Sequence, residues 1–150
     1  MGKEETTGLL KRKWIDEKEH VFDIIRKKYV RYTPEEHVRQ HLIHYLIEKK
    51  GVPKSLIAIE MTVELNGMSK RCDVVVYGKT GLPVLIAECK EGRVKISQDT
   101  FDQVARYNMS LQVKYLLVTN GEITYCCEID YSNHSYEFLD ELPEYNKMIE

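Results

Sequence analysis

The stretch KRCDVVVYGKTGLPVLIAECK, residues 70–90, constrains the fold of this chain more than any other. Its two apolar runs, VVVY at 74–77 and VLIA at 84–87, are rich in β-branched and aliphatic side chains, and the Gly/Pro turn KTGLP separates them in the pattern of a β-hairpin. Successive strand residues point to opposite sides. Arg71, Asp73, Val75 and Tyr77 are therefore expected on one face of the first strand, and Val84, Ile86, Glu88 and Lys90 on one face of the second. Two acids and a lysine thus stand on hydrophobic strands, where a charge is costly to bury unless it is paired or holds a metal ion.

The flanking chain supplies the other elements. Thr33-Pro34-Glu35-Glu36 reads as an N-cap threonine, a proline at the first helical position and a glutamate three residues after the cap. A helix is predicted from Pro34 to about Lys50, with Val38, Leu42, Tyr45 and Leu46 at helical spacing and Gly51-Val52-Pro53 ending it. By phase, Glu35 belongs at the N-terminal end of the buried stripe. Glu36 points away from that stripe, as a capping and dipole-compensating acid. Residues 56–65, LIAIEMTVEL, form a strand, and Asn66-Gly67 turns the chain into the strand of Asp73. After the basic loop EGRVKI, Ser97-Gln98-Asp99-Thr100 opens a second helix with Phe101, Val104, Ala105, Asn108 and Leu111 on one side. KYLLVTN at 114–120 is a buried strand, and ITYCCEI at 123–129 is its hairpin partner. Between Trp14 and Val30, the short run Val21 to Ile25 is compatible with strand or helix. Residues 1–13 are expected to fray, and 132–150 to form an irregular tail with room for a short helix near its end.

Composition sets the outer limits. With 150 residues, 43% hydrophobic and 31% charged, the chain suits a single α+β (α/β) domain, its core spanning about residues 22–130. A net charge of −2 argues against tight non-specific DNA binding by the whole surface and leaves room for a local basic patch. The sequence shows no membrane-spanning run and no secretory signal, so a cytoplasmic location is expected. Cys72, Cys89, Cys126 and Cys127 lack paired metal-ligand spacing and are read as reduced, half-buried thiols.

Asp73, followed after fourteen residues by Glu88-Cys89-Lys90, resembles the signature of the PD-(D/E)xK nuclease superfamily, with Cys72 at the position the name gives to proline. The element order helix, three antiparallel strands, helix, strand, with a further C-terminal strand, is that of the restriction-endonuclease-like core. Gln103 and Tyr107 form a QxxxY pattern on the second helix that resembles several branches of the superfamily. The run from Phe22 to Gly121 looks more closely like the N-terminal domain of type I restriction enzyme motor (R) subunits, in the short free-standing form found in bacterial proteins. It carries FDIIRKKYVRYTPEEHVRQHLIHYLI, RCDVVVYG, AECK, Q…YN and LLVTNG. The chain has no GxxxxGK[ST] phosphate loop, so no ATP-driven motor is expected.

The resemblance implies a Mg2+-dependent (or Mn2+-dependent) DNA nuclease of the restriction-modification type. Asp73, Glu88, the backbone carbonyl of Cys89 and Glu35 would be metal ligands close enough to share one ion, and Lys90 a catalytic group. Arg71, Gln103 and Tyr107 would contact nucleic acid or support the site. A homodimer is expected, because one compact site cuts one strand. The alternative is a non-catalytic nucleic-acid-binding or protein-interaction module that retains the nuclease fold.

Overall fold

A computed structural model describes residues 10–65, 67–109 and 111–150. Strands β1 (Arg12–Ile15), β2 (Lys18–Asp23) and β3 (Lys28–Arg31) form an antiparallel three-stranded sheet that leads into helix α1 (Pro34–Lys50). Then come β4 (Ile57–Leu65), β5 (Met68–Tyr77), β6 (Pro83–Cys89), α2 (Gln98–Met109), β7 (Tyr115–Thr119), β8 (Thr124–Asp130), β9 (Ser135–Leu139) and α3 (Tyr145–Met148). Strands β4 to β9 make one six-stranded sheet in sequence order. Within it β6 and β7 are parallel, and the crossover through α2 makes this pairing possible.

The mixed α+β core expected from the sequence is present, from α1 through the antiparallel β4, β5 and β6 to α2, β7 and β8. Thr33 caps α1 by accepting the amide N–H of Glu36, and Gly51 ends the helix at φ +70°, its N–H donating to the Leu46 carbonyl. One open choice is settled and two expectations need correction. The segment Val21 to Ile25, compatible with strand or helix, is strand through Asp23, because residues 12–31 fold as a meander of their own. Leu10 is buried and Arg12 and Lys13 lie in β1, so the stretch expected to fray is ordered from residue 10, and residues 1–9 lie outside the described residues. The C-terminal stretch is not an irregular tail. It adds β9 to the sheet edge and buries Leu142, Tyr145 and Met148, and the Tyr145 hydroxyl donates to the Tyr77 carbonyl at 2.8 Å. Acidic composition concealed the apolar spacing of these three residues.

Each face of the large sheet has its own core. On one side Val38, Leu42 and Leu46 of α1, with Tyr145 and Met148 of α3, cover Val74, Val76, Leu85, Ala87, Cys89 and Leu117. On the other, Phe101 and Ala105 of α2 cover Val75, Ile86, Leu116, Val118 and Cys127. All four cysteines are free and buried. Burial pushes the thiols of Cys89 and Cys127 up to about 12 and that of Cys72 to about 11, which keeps them protonated and inert at neutral pH. Among the described residues no helix is long and apolar enough to cross a membrane.

Helix α1 is buried along a second line as well, and that line is polar. Glu36, Arg39 and Gln40 recur at helical spacing against the segment that follows β2. Arg26 Nε meets Asp23 Oδ2 at 2.6 Å and Arg26 Nη2 meets Glu36 Oε2 at 2.7 Å; Arg39 Nη1 meets Glu36 Oε1 at 2.6 Å. Gln40 Nε2 donates to both Asp23 and Glu36, at 3.0 and 2.8 Å. Glu36 is therefore 6% exposed and does not face solvent as a capping acid. Replacing it by Ala would leave two guanidiniums without their shared carboxylate, at a cost of about 3–5 kcal/mol against the ~1 kcal/mol of a lost cap. Urea unfolding of Glu36→Ala measures the difference.

Burial alone would raise the Asp23 carboxyl, but the amide N–H groups of Arg26 and Ile25 and the Arg26 guanidinium outweigh it and hold it below the ordinary value. A carboxyl depressed in the fold contributes stability that is fully present above its unfolded value, near ~3.9, and is lost as pH falls through the folded value. Unfolding titrations between pH 5 and 2 should therefore show a shallower acid loss in Asp23→Asn than in the wild type.

Candidate active site

The site is built where β4 and β5 turn over. Ile57 and Ile59 of β4, with Val74 and Val76 of β5, face α1, yet Val63 of β4 and Cys72 of β5 face the α2 side. Strict alternation would keep each set on one face, so both strands change face between these residues. The ladder pairs Ile59 with Val74 and Met61 with Cys72 and skips Glu60 and Asp73 between them. Glu60 takes up the reversal at φ +49°, a left-handed conformation that costs a non-glycine residue about 1–3 kcal/mol.

Asp73 stands at the turnover. The regular pairing of β5 with β6 ends at Val74 and Ala87, and beyond it the amide N–H of Cys89 donates to Asp73 Oδ2 at 2.7 Å. A side-chain carboxylate thus replaces a strand carbonyl in the gap between the two strands. Its other oxygen lies 3.7 Å from Arg39 Nη2, on the α1 side. The same nitrogen is 4.0 Å from Glu35 and 3.9 Å from Glu60, and Arg71 reaches Glu60 at 3.8 Å. One buried guanidinium therefore gathers carboxylates from α1, β4 and β5, and its Nε has no hydrogen-bond partner among the described residues.

Glu88 is oriented differently. It alternates with Ala87 and Cys89, which face α1, so it points to the α2 side. There the Lys70 ammonium meets its carboxylate at 3.0 Å, with the two side chains 14% and 15% exposed. The same turnover that moved Cys72 to this side carried Lys70 with it.

The motif residues are thus adjacent in space and divided in orientation. Asp73 contacts the peptide that joins Glu88 to Cys89, but the two carboxylates hold different cations, Arg39 and Lys70. Lys70, rather than Lys90, is the lysine on Glu88. Lys90 is half-buried after β6, its N–H bonded to the Thr119 carbonyl at 2.8 Å. Asp73 leaves the face of Val75, contrary to simple alternation, because the turnover falls on it. Glu35 is in phase with Val38 and Leu42 as expected, but the apolar core begins only at Val38, and its side chain is 52% exposed. Arg71 and Gln103 are exposed, and the side chain of Tyr107 lies outside the described residues.

Carboxylate oxygens suit a hard divalent cation. Asp73 and Glu35 already approach one point around Arg39, whereas Glu88 is committed to Lys70. Among the described residues no group of three or more His, Cys, Asp or Glu side chains is gathered for a metal ion. Sequence reasoning missed Lys70, Glu60 and Arg39. The 36, 39, 40, 43 spacing on α1 would have flagged Arg39; nothing in the sequence marks where alternation breaks.

Similarity to known proteins agrees with this architecture. Residues 34–143 match the family described as type I restriction enzyme R protein N terminus (HSDR_N). A fragment structure described as an HsdR subunit of a type I restriction enzyme from Vibrio vulnificus YJ016 shares the fold, with a TM-score of 0.53 at 19% identity over 76% of this chain. The chain spans about a quarter of that protein, 24% of its length. A protein from Anabaena variabilis ATCC 29413, described as a nuclease of the group DUF820, aligns at a TM-score of 0.48 and 11% identity over 87% of this chain and 76% of that one. No curated protein matches the chain. Because the family match covers most of the sequence, including α1, the Asp73 strand and the Glu88-Cys89-Lys90 strand, the chain belongs to the family of type I restriction enzyme R protein N-terminal domains.

Proposed function

We propose that this domain hydrolyses phosphodiester bonds of DNA with Mg2+ or Mn2+, as an endonuclease. The observation that carries the reading is the position of Asp73, wedged between the splayed ends of β5 and β6 with its carboxylate on the backbone of the Glu88-Cys89-Lys90 motif. Asp73 and Glu35 would hold the ion with the Cys89 carbonyl, and Glu88 would join them only by leaving Lys70. Such an ion, when bound, polarises a phosphoryl oxygen and acidifies the attacking water. Lys90 would orient that water or offset charge on the reacting phosphate. Arg71, exposed and two residues before Asp73, would hold a neighbouring phosphate, and Gln103 and Tyr107 would contact nucleic acid or support the site. The partner is DNA, and a homodimer would bring two sites to its two strands.

One observation favours the non-catalytic alternative, a nucleic-acid-binding or interaction module. Glu88 faces away from Asp73 and is neutralised by Lys70. Incubating the purified chain with plasmid and Mg2+ or Mn2+ decides between them. The nuclease reading expects nicking or linearisation, with losses of about 10²-fold or more in Asp73→Ala and Glu88→Ala, the scale of removing one preorganised electrostatic group. Lys90→Ala should lose cleavage while calorimetry still shows ion binding. A wild type that binds DNA and cuts it with neither ion establishes the module instead.

A further inference from the structure

Cross-strand partners share a face and neighbours along a strand alternate, so the register of β1 to β3 divides the side chains of the meander into two sets. Val21 and Asp23, both 0% exposed, mark the inner face, where Asp23 accepts from Gln40 of α1. Arg12 and Glu19 share that side and pair at 3.4 Å. The outer face carries Lys13, His20 and Arg31 in one row and Phe22 and Tyr29 in the next, with Ile15 and Lys18 at the β1–β2 end. Lys11 extends the aromatic row, its carbonyl accepting the Phe22 N–H at 2.8 Å. The acids of the three strands, Glu19 and Asp23, thus lie on the inner side, while Asp16 and Glu17 occupy the hairpin tip beyond Lys18. Lys11, Lys13, Lys18 and Arg31 are exposed, and none is paired with a carboxylate among the described residues.

We infer that this outer face binds a single strand of nucleic acid, with phosphates on the cations and an unpaired base against Phe22 and Tyr29. Neighbouring strands lie about 4.8 Å apart, so Lys13 and Arg31, two strands apart, stand within about one Debye length at 0.1 M salt and repel unless an anion neutralises them. Guarding the sheet edges against another chain accounts for cations on β1 and β3, but not for the aromatics between them. Phe22 and Tyr29 meet edge to face at 5.2 Å, join neither core, and lie beneath the Lys13 ammonium, which is 4.2 Å from the Tyr29 ring centre. Cations that follow a phosphate backbone, with aromatic rings among them for the bases, take up a strand whatever its sequence. An acidic membrane surface would meet the cations but has no base to offer the rings. The face also leads toward the candidate site. Lys27 and Lys28, both exposed, follow beyond the aromatic row, and Arg26 beside them lies 3.6 Å from Glu60 at the turnover. The inference needs no metal ion and stands whether or not the domain cuts DNA.

Fluorescence anisotropy of a short labelled oligothymidylate with the full chain, over a salt series in EDTA, tests the assignment without cleavage. The wild type should bind the single strand more tightly than the matching duplex. The double variant Lys13→Gln/Arg31→Gln should bind about tenfold more weakly or worse at low salt, with a log–log salt slope shallower by about 0.7 for each phosphate contact removed. Tyr29→Ala should lose about fivefold or more with the slope unchanged, and Tyr29→Phe should recover the loss. Lys79→Gln, which removes an exposed cation from the β5–β6 turn instead, should bind as the wild type does. Circular dichroism melts confirm that each variant is folded. Wild-type affinity and slope in the double variant overturn the assignment, as does a duplex bound as tightly as the single strand with no loss in Tyr29→Ala. A wild type that binds anionic phospholipid vesicles and no oligonucleotide overturns it too. None of these outcomes bears on ion-dependent cleavage, which the plasmid assay reads separately.

Discussion

A single hydrogen bond organises the centre of this molecule, the one from the Cys89 amide to the carboxylate of Asp73. Between regular strands that amide would find a backbone carbonyl. Here β5 and β4 change face at Asp73 and Glu60, the ladder is interrupted, and a side chain makes the bond. An amide left unsatisfied at this depth would cost about 1–3 kcal/mol, so the acid has a structural role of its own. The consequences spread from there. The reversal brings Lys70 to Glu88, leaves Asp73 within reach of Arg39, and requires the left-handed Glu60 whose carboxylate then joins Arg26, Arg39 and Arg71.

A chain of buried charges ties this point to the N-terminal sheet. It runs from Asp23 through Arg26, Glu36 and Arg39 to Asp73, crossing from the β2–β3 turn to α1 and then to the large sheet. Buried ion pairs are weak contributors to net stability, but removing one partner is costly, so they fix geometry more than they add free energy. The family match begins at residue 34, yet the network begins at Asp23. The meander of β1 to β3 is thus mechanically part of the site, and α1 is held on its polar line as firmly as on its apolar one.

The parts of the fold that follow from periodicity and turn chemistry were legible in the residues. The capping sequence at Thr33, the apolar line Val38, Leu42 and Leu46, and the apolar runs of β5, β6 and β7 each matched an element. So did the proximity of Asp73 to the Glu88-Cys89-Lys90 strand. The rest turned on long-range facts. Strand alternation is a local rule, and the change of face at Asp73 comes from pairing with β4 and from a backbone reversal at Glu60 that no residue type announces. Glu36 was read as a capping acid because one arginine partner, Arg26, lies ten residues before it in a segment whose docking on α1 the sequence does not show, and because the other, Arg39 on the same helix, was not weighed. The C-terminal strand and helix were hidden by acidic composition, although Leu142, Tyr145 and Met148 supplied the apolar contacts.

The central claim is that Asp73 and Glu88, adjacent across one peptide, take up a divalent ion together. Paramagnetic broadening by substoichiometric Mn2+ in a nitrogen-15 NMR spectrum tests it most directly, because the effect falls steeply with distance from the ion and needs no substrate. The account predicts loss of the amide signals of Asp73, Glu88 and Cys89 first, and their survival in Asp73→Ala. Broadening centred elsewhere in the chain, or none at all, would contradict it.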